Sequence, residues 1–448
     1  MDEPTLEPRG ALASYSRSLH LLLIATIAFA QYLRKPVLFG ASQLFKEDAG
    51  VLFAHYYHGA EHFFIYYMGY VSVGPNLLGW LATRAPTPLI GQAFVLVALL
   101  SAAGALSVLY LPRFRTLIAS DRARLLCCLW LSILPIGNGP IVRAITWSFW
   151  PMLLAAGLLL AQPTPKPSRR RWFELGYVAI AICSSPVSLV LAPVCAYNAW
   201  RARDAFQRIS SLGLALLTVT YVVVMRYELG TAYWDESALQ WSTRQLDPLY
   251  AVTHLLPVIG DRVVFETLAT NFVRMRFIWR GLLASTVVGG LVGLAALVWA
   301  VRMVPVLAEH AKRNASLLAV LSYLSIAITA VSIGARFGPG ALDYTDYFHH
   351  RYFWVQQYYL WVVLAAFALA LMPRLPQRAK QLVAACAVLY PLVGGYMDRI
   401  ELSPGLNDHE ATAEFLQELH ECEQQDCANP VVFHGHDERF DITIRDFR

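Results

Sequence analysis

The sequence is short of charge. Asp, Glu, Lys and Arg make up 15% of its 448 residues, and 57% are hydrophobic; a soluble domain carries roughly 25% charged residues. That balance excludes a soluble fold. The net charge of +5 is small and lies mostly in short loops, so it does not form the basic stripe of a nucleic-acid-binding protein. Also missing is the ten-residue alternation of a transmembrane barrel. There is no internal repeat and no low-complexity tract, and outside the apolar runs cysteine occurs only as Cys422 and Cys427.

What is present is a succession of apolar runs, near 19–33, 92–112, 124–136, 144–161, 174–199, 209–225, 281–301, 315–334, 352–372 and 380–397. Most approach the ~20 residues that cross a hydrocarbon core. Helices satisfy their own backbone hydrogen bonds in lipid, so an all-α polytopic membrane protein is predicted. Ala28-Phe29-Ala30 resembles a cleavage site, but Asp2, Glu3 and Glu7 before it make a poor signal n-region, so the first helix is expected to stay.

Basic residues gather in the short connections: Arg9 and Arg17; Arg113, Arg115, Arg122 and Arg124; Lys166, Arg169, Arg170 and Arg171; Arg201, Arg203 and Arg208; Arg302, Lys312 and Arg313; Arg374, Arg378 and Lys380. The positive-inside rule puts these loops in the cytoplasm. Both ends of 174–199 would then be cytoplasmic. Ser184-Ser185-Pro186 sits near its middle, and proline disfavours helix at the residue before it. Two half-length helices that dip in and return are predicted, the alternative being one continuous span with an inverted charge balance. Counting this broken, re-entrant pair as two gives about eleven transmembrane crossings, with the N-terminus cytoplasmic and the C-terminus extracytoplasmic. A transmembrane domain, 1–397, would carry long outer loops at 34–91, 226–280 and 335–351, followed by a small α+β tail, 398–448.

The first outer loop holds most of the chemistry. Aromatic residues interleaved with a few charges, through Tyr56, Tyr57, Phe63, Phe64, Tyr66, Tyr67 and Tyr70, suit amphipathic helices at the interface. Against them stand the adjacent acids Glu47 and Asp48. A carboxylate near apolar surface can be tuned as a general base; a helix-capping or solvated pair is the alternative.

The acidic pair shortly after the first helix resembles the signature of the glycosyltransferase C superfamily, multi-span enzymes that take sugar from a polyprenyl-phosphate carrier on the extracytoplasmic side. The run from Glu47-Asp48 through Tyr67-Met68-Gly69-Tyr70 to Pro75-Asn76-Leu77 is similar to bacterial members. So are Pro135 to Trp147, the Ser185-Pro186 break, and Arg351-Tyr352 at the start of a late helix. Met68 and Asn76 depart from the small and the basic residue of that pattern, and Asn138 and Arg143 stand where an acid and an Asn pair belong.

The resemblance implies a membrane glycosyltransferase moving sugar from a polyprenyl-phosphate donor to an extracytoplasmic glycan, lipid or cell-wall acceptor. It nominates Asp48 as the base, with Glu47 assisting or binding a divalent cation (Mg or Mn); no other cofactor is called for. The donor's leaving phosphate needs cations. Arg351 is the first candidate, in a loop with Arg336, His349 and His350, unless it pairs with Asp343 or Asp346. Arg143, Tyr70, Arg34 and Lys35 are further candidates, although Arg34 and Lys35 could simply snorkel. Membrane lipids are the expected surroundings and nucleic acid is not a partner. No organelle address is evident, which favours a bacterial plasma membrane.

His55, His58 and His62 share a helical face but match no closed zinc spacing. In the tail, helical spacing of Ala413, Phe415, Leu416 and Leu419 predicts a helix, and Val431-Val432-Phe433 and Phe440 to Ile444 read as strands. Cys422 and Cys427 can pair on an oxidising face, or join His420, His434 or His436 around zinc. A transporter or flippase of lipid-linked sugars is the rival function, and a non-catalytic scaffold the third. Paired broken helices in two related halves would mark the transporter; one break is visible.

Overall fold

The computed structural model describes residues 17–34, 48–57, 63–67, 70–136, 144–163, 168–227, 248–269, 274, 282–306, 312–336, 352–400, 409–425, 431–433 and 442–444. Helix α1 (Arg17–Arg34) is followed by a π-helical turn (Asp48–Phe53) running into α2 (Ala54–Tyr57). An antiparallel ladder of β1 (Tyr66–Tyr67) and β2 (Tyr70–Val71) leads to α3 (Val73–Ala82) and α4 (Ile90–Ser107). The aromatic stretch read as interfacial helix thus forms a short hairpin in part. Next come α5 (Asp121–Ile133), α6 (Phe149–Ala161), α7 (Arg169–Ile182), α8 (Leu191–Arg201) and α9 (Ala205–Tyr227). Helix α10 (Pro248–Val258) continues into a second π-helical stretch (Ile259–Phe265), followed by α11 (Leu282–Val306), α12 (Ala315–Arg336), α13 (Trp354–Leu371) and α14 (Gln377–Ile400). The tail is α15 (His409–Gln425) with β3 (Val431–Phe433) antiparallel to β4 (Ile442–Ile444).

By length and hydropathy, four described segments qualify as membrane spans: Thr87–Tyr110, Ala205–Met225, Ala315–Gly334 and Trp354–Arg374. Arg17–Leu33, Ile145–Ala161 and Ser285–Trp299 are apolar but shorter. The other expected crossings form helices that are shorter or more charged, so the count of eleven does not follow from the structure. Large apolar side chains such as Leu216, Leu291 and Leu392 point outward on the peripheral helices, as contact with lipid requires.

Helix α6 is the axis of the bundle. Its sequence is apolar on every side, and a helix of that kind is buried all round: each of its 13 residues is buried. It touches α4, α7, α8, α12 and α13. At Gly157 an added Cβ would run into the Tyr359 hydroxyl, so the glycine admits that ring against the α6 backbone.

The helix break predicted at Ser184-Ser185-Pro186 is present. Helices α7 and α8 have 14 and 11 residues, about 21 and 17 Å at 1.5 Å per residue, too short to cross a ~30 Å core singly. Glu174 of α7 pairs with Arg113, whose guanidinium also donates to Gln162 O at 2.9 Å. Asn198 of α8 donates to Leu160 O at 2.8 Å. Both outer ends of the pair therefore lie at the end of α6 marked by Leu160 and Gln162. The apex meets the first loop instead: Val73 N–H donates to Cys183 O at 3.0 Å, and Gly74 N–H to Ser184 Oγ at 2.8 Å. The two helices run out and back as a hairpin.

Helices α10 and α11 approach backbone to backbone. A Cβ on Gly260 would strike the Gly289 carbonyl, one on Gly289 the Pro257 carbonyl, and one on Gly293 would lie 2.7 Å from Leu256 O. Gly289 and Gly293 form the small-xxx-small spacing that lets membrane helices pack closely. Gly260→Ala is expected to lower stability by about 1–3 kcal/mol through overpacking. Gly104→Ala, at a helical glycine with open space around it, should leave stability unchanged or raise it slightly. Thermal unfolding in detergent checks the pair.

The tail is not set apart from the rest. Phe415, Leu416, Leu419, Cys422, Val431 and Ile444 share one apolar cluster with Leu52, Phe53, Tyr56, Tyr57, Ile90, Phe94 and Ile145. The C-terminal segment therefore sits at the same end of the bundle as Asp48. Cys422 is disulfide-bonded, which removes it as a zinc ligand; Cys427 lies outside the described residues. Cys127, Cys128, Cys183, Cys195 and Cys386 are free.

Candidate functional site

Asp48 closes the end of another element. The first N–H groups of a helix have no partner within it, and Ala144, at the N-cap of the turn Ile145–Trp147, offers no side-chain acceptor. Asp48 supplies one from 97 residues away: Ile145 N–H donates to its Oδ2 and Thr146 N–H to its Oδ1, both at 2.8 Å. The carboxylate is buried, with the residue 1% exposed. Both carboxylate oxygens thus meet N–H groups at the start of the turn that leads into α6. The helix-capping alternative is realised, and the carboxylate is held at the head of the central helix.

Four stretches that carry the family resemblance meet around this helix N-terminus. Ile145 and Thr146 bind Asp48. One turn on, the Trp150 ring meets Tyr352 edge-on at 5.9 Å. Gly74 lies so close to Met152 and Ser184 that a Cβ would be 2.8 Å from the Ser184 hydroxyl. Asn76, where the pattern has a basic residue, is 2% exposed and bound on several sides. Its Oδ1 accepts the Tyr56 hydroxyl at 2.6 Å and Ile65 N–H at 2.9 Å, and its Nδ2 donates to Ser72 O at 2.8 Å. Asn76 braces the loop. Tyr70 lies half-buried in β2, opposite Tyr67.

Beyond Tyr352 the structure assembles a group of charges that the sequence pattern did not single out. Arg274 grips Asp261 with two parallel bonds, 2.9 and 2.7 Å, and the Ser285 hydroxyl adds a third at 2.6 Å. Arg262 and Glu266 are 3.1 Å apart, and the Arg262 guanidinium lies 5.0 Å from the centre of the Phe353 ring. Gln357 donates to Arg262 O at 2.7 Å. All four ionic residues are at most 3% exposed. Segment 226–280 was expected to be an outer loop. Here its described part packs as helix against α11, α12 and α13, because pairing makes the burial of these charges tolerable.

Glu47, Lys35, Arg143, His349, His350 and Arg351, with His58 and His62, lie outside the described residues. Arg34 and Arg336 are the last residues of α1 and α12. Among the described residues no group of three or more His, Cys, Asp or Glu could hold a metal ion.

The tail fastens the loop that bears Asp48. Glu423 accepts the Tyr57 hydroxyl at 2.7 Å and the Thr87 hydroxyl at 2.7 and 2.8 Å, with His420 Nδ1 at 3.3 Å. Phe415 meets Phe53 edge-on at 5.9 Å. Burial alone would raise the Glu423 pKa, but the bonds from Tyr57, Thr87 and His420 outweigh it and hold it below the ordinary 4.5. A depressed carboxyl stabilises the folded state above its unfolded pKa and ceases to as pH falls through the folded value. Tail docking is therefore expected to be secure at neutral pH and to loosen below about pH 4.5. Proteolytic clipping near residue 408 should rise accordingly, and Glu423→Gln should bring that rise to neutral pH.

No family model and no curated protein matches the chain. Among solved structures it is similar to the Archaeoglobus fulgidus oligosaccharyltransferase in its apo form, with a TM-score of 0.43 and 13% sequence identity. The match covers 95% of this chain and 62% of that one, so this chain spans less than two thirds of that protein's length.

Proposed function

We propose that the chain is an integral membrane glycosyltransferase that moves a sugar from a polyprenyl-phosphate-linked donor to a glycan, lipid or cell-wall acceptor on the outer face of a bacterial plasma membrane. The observation that carries this reading is the convergence at α6. The Asp48 carboxylate, held by Ile145 and Thr146 N–H, lies where the other resembling stretches also arrive, in a bundle of apolar helices.

In this reading the acceptor hydroxyl oxygen attacks the anomeric carbon of the donor sugar. A carbon–oxygen bond forms, the bond to phosphate breaks, and polyprenyl phosphate leaves as an anion. Asp48 orients the hydroxyl and takes its proton as the new bond forms. Glu47 assists. Arg351, with Arg336, His349, His350, Arg143, Arg34 and Lys35, supplies the cations facing the departing phosphate, where the planar fork of arginine suits its oxygens. Tyr70 lines the approach.

The test is a transfer assay on purified protein with a panel of radiolabelled polyprenyl-phosphate sugars and a membrane-derived acceptor fraction. Label is expected to pass from carrier to acceptor for at least one donor. Movement of intact donor across proteoliposomes without transfer would establish a transporter instead, a reading to which the returning pair α7–α8 is also suited.

A further inference from the structure

At the end of the bundle away from Asp48 lies a cavity of about 790 Å³, bounded by the α4–α5 connection, the start of α12 and the end of α13. It falls within the ~300–1,000 Å³ range of ligand sites. Its position follows from the helices: α13 begins beside Trp150 and ends at this cavity, where Leu369, Ala370 and Arg374 contribute. Asn314, next to Arg313, ties the walls together by donating to Thr116 O at 3.0 Å.

The lining divides by chemistry. Leu117, Ile118 and Leu369 form an apolar wall, while Arg115, Arg313 and Arg374 bring cations, and no Asp or Glu is among the lining residues. Arg115 is oriented by two bonds to Asp121, 3.0 and 2.8 Å. The same carboxylate also pairs with Arg124, so Asp121 is shared between two arginines. Arg313 makes no ion pair among the described residues. A site that is apolar on one side and multiply cationic on the other, between helices at the basic end of a membrane bundle, matches an amphiphile with a phosphate head.

We propose that this cavity binds the phosphate-bearing headgroup of an anionic phospholipid, with its acyl chains against the apolar wall. The proposal does not depend on the glycosyltransferase reading.

The experiment titrates the delipidated full-length protein in detergent with phosphatidylglycerol or phosphatidylcholine and counts bound lipid by native mass spectrometry. One saturable phosphatidylglycerol is expected, with phosphatidylcholine much weaker. Arg313→Ala and Arg374→Ala should each weaken binding about fivefold and the double variant about 25-fold; Arg313→Lys should retain it. Arg313 and Arg374 are exposed, so the variants should fold, and Arg378→Ala, outside the lining, should bind as the parent does. Millimolar inorganic phosphate should leave the lipid in place; full displacement by phosphate would make this a simple anion site and overturn the lipid assignment. Equal binding of phosphatidylcholine, or an unchanged double variant, would overturn it as well.

Discussion

Asp48→Asn is expected to abolish most sugar transfer, by about 10²–10⁴-fold, while donor affinity changes little. The substitution keeps the size of the side chain but removes the anion. It also has a structural effect: an amide offers one oxygen where the carboxylate offers two, so either Ile145 or Thr146 N–H must face an NH₂ group. Loss of a cap costs typically ~1 kcal/mol, which would lower the unfolding midpoint without emptying the folded state. The two effects separate when turnover is measured per folded molecule by monodispersity and unfolding. A fall in activity that merely follows the loss of folded protein would leave Asp48 as a cap and nothing more. Normal turnover would reject the base assignment, and the role of base at this site would pass to Glu47.

Arg274→Met is expected to have the largest effect on stability of any single change considered. It would leave the Asp261 carboxylate buried, with the Ser285 hydroxyl at 2.6 Å as its remaining described partner. Breaking a buried pair from one side costs about 3–5 kcal/mol, whereas replacing both partners by neutral groups of similar shape can be nearly neutral. The double variant Asp261→Asn with Arg274→Met should therefore recover a large part of the loss. Unfolding curves in detergent for the two singles and the double give the coupling directly. If instead the single variant keeps its stability but loses donor binding, the charge group belongs to the donor site. Its position behind Phe353, two residues beyond Arg351, would make that outcome intelligible.

Some of this architecture was legible in the sequence. Ser184-Ser185-Pro186 announced a break through local backbone chemistry, and flanking arginines showed that the two halves return to one end. The tail was legible too, because helical spacing through Phe415 and Leu419 and β-branched runs around Val431 and Ile442 are local signals. What escaped was non-local. Asp48 was visible as an acid, but the N–H groups that bind it belong to residues 145 and 146, and nothing in the spacing links them. The charges at Asp261, Arg262, Glu266 and Arg274 interrupt hydropathy and so read as loop. Only folding brings Arg274 and Ser285 to Asp261, and only pairing makes that burial affordable. Asn76 was seen as a departure from a motif, whereas its bonds to Tyr56, Ile65 and Ser72 show a brace.

The clamp between Tyr57 and Glu423 joins residues 366 positions apart, and this sets a schedule for biogenesis. At translation rates of ~5–20 residues per second, roughly 20–70 seconds separate the synthesis of the Asp48 loop from that of the helix that fastens it. During that interval Leu52, Phe53 and Tyr57 lack their final cover. A ribosome stalled after α14 would leave a helical bundle whose candidate site is still open.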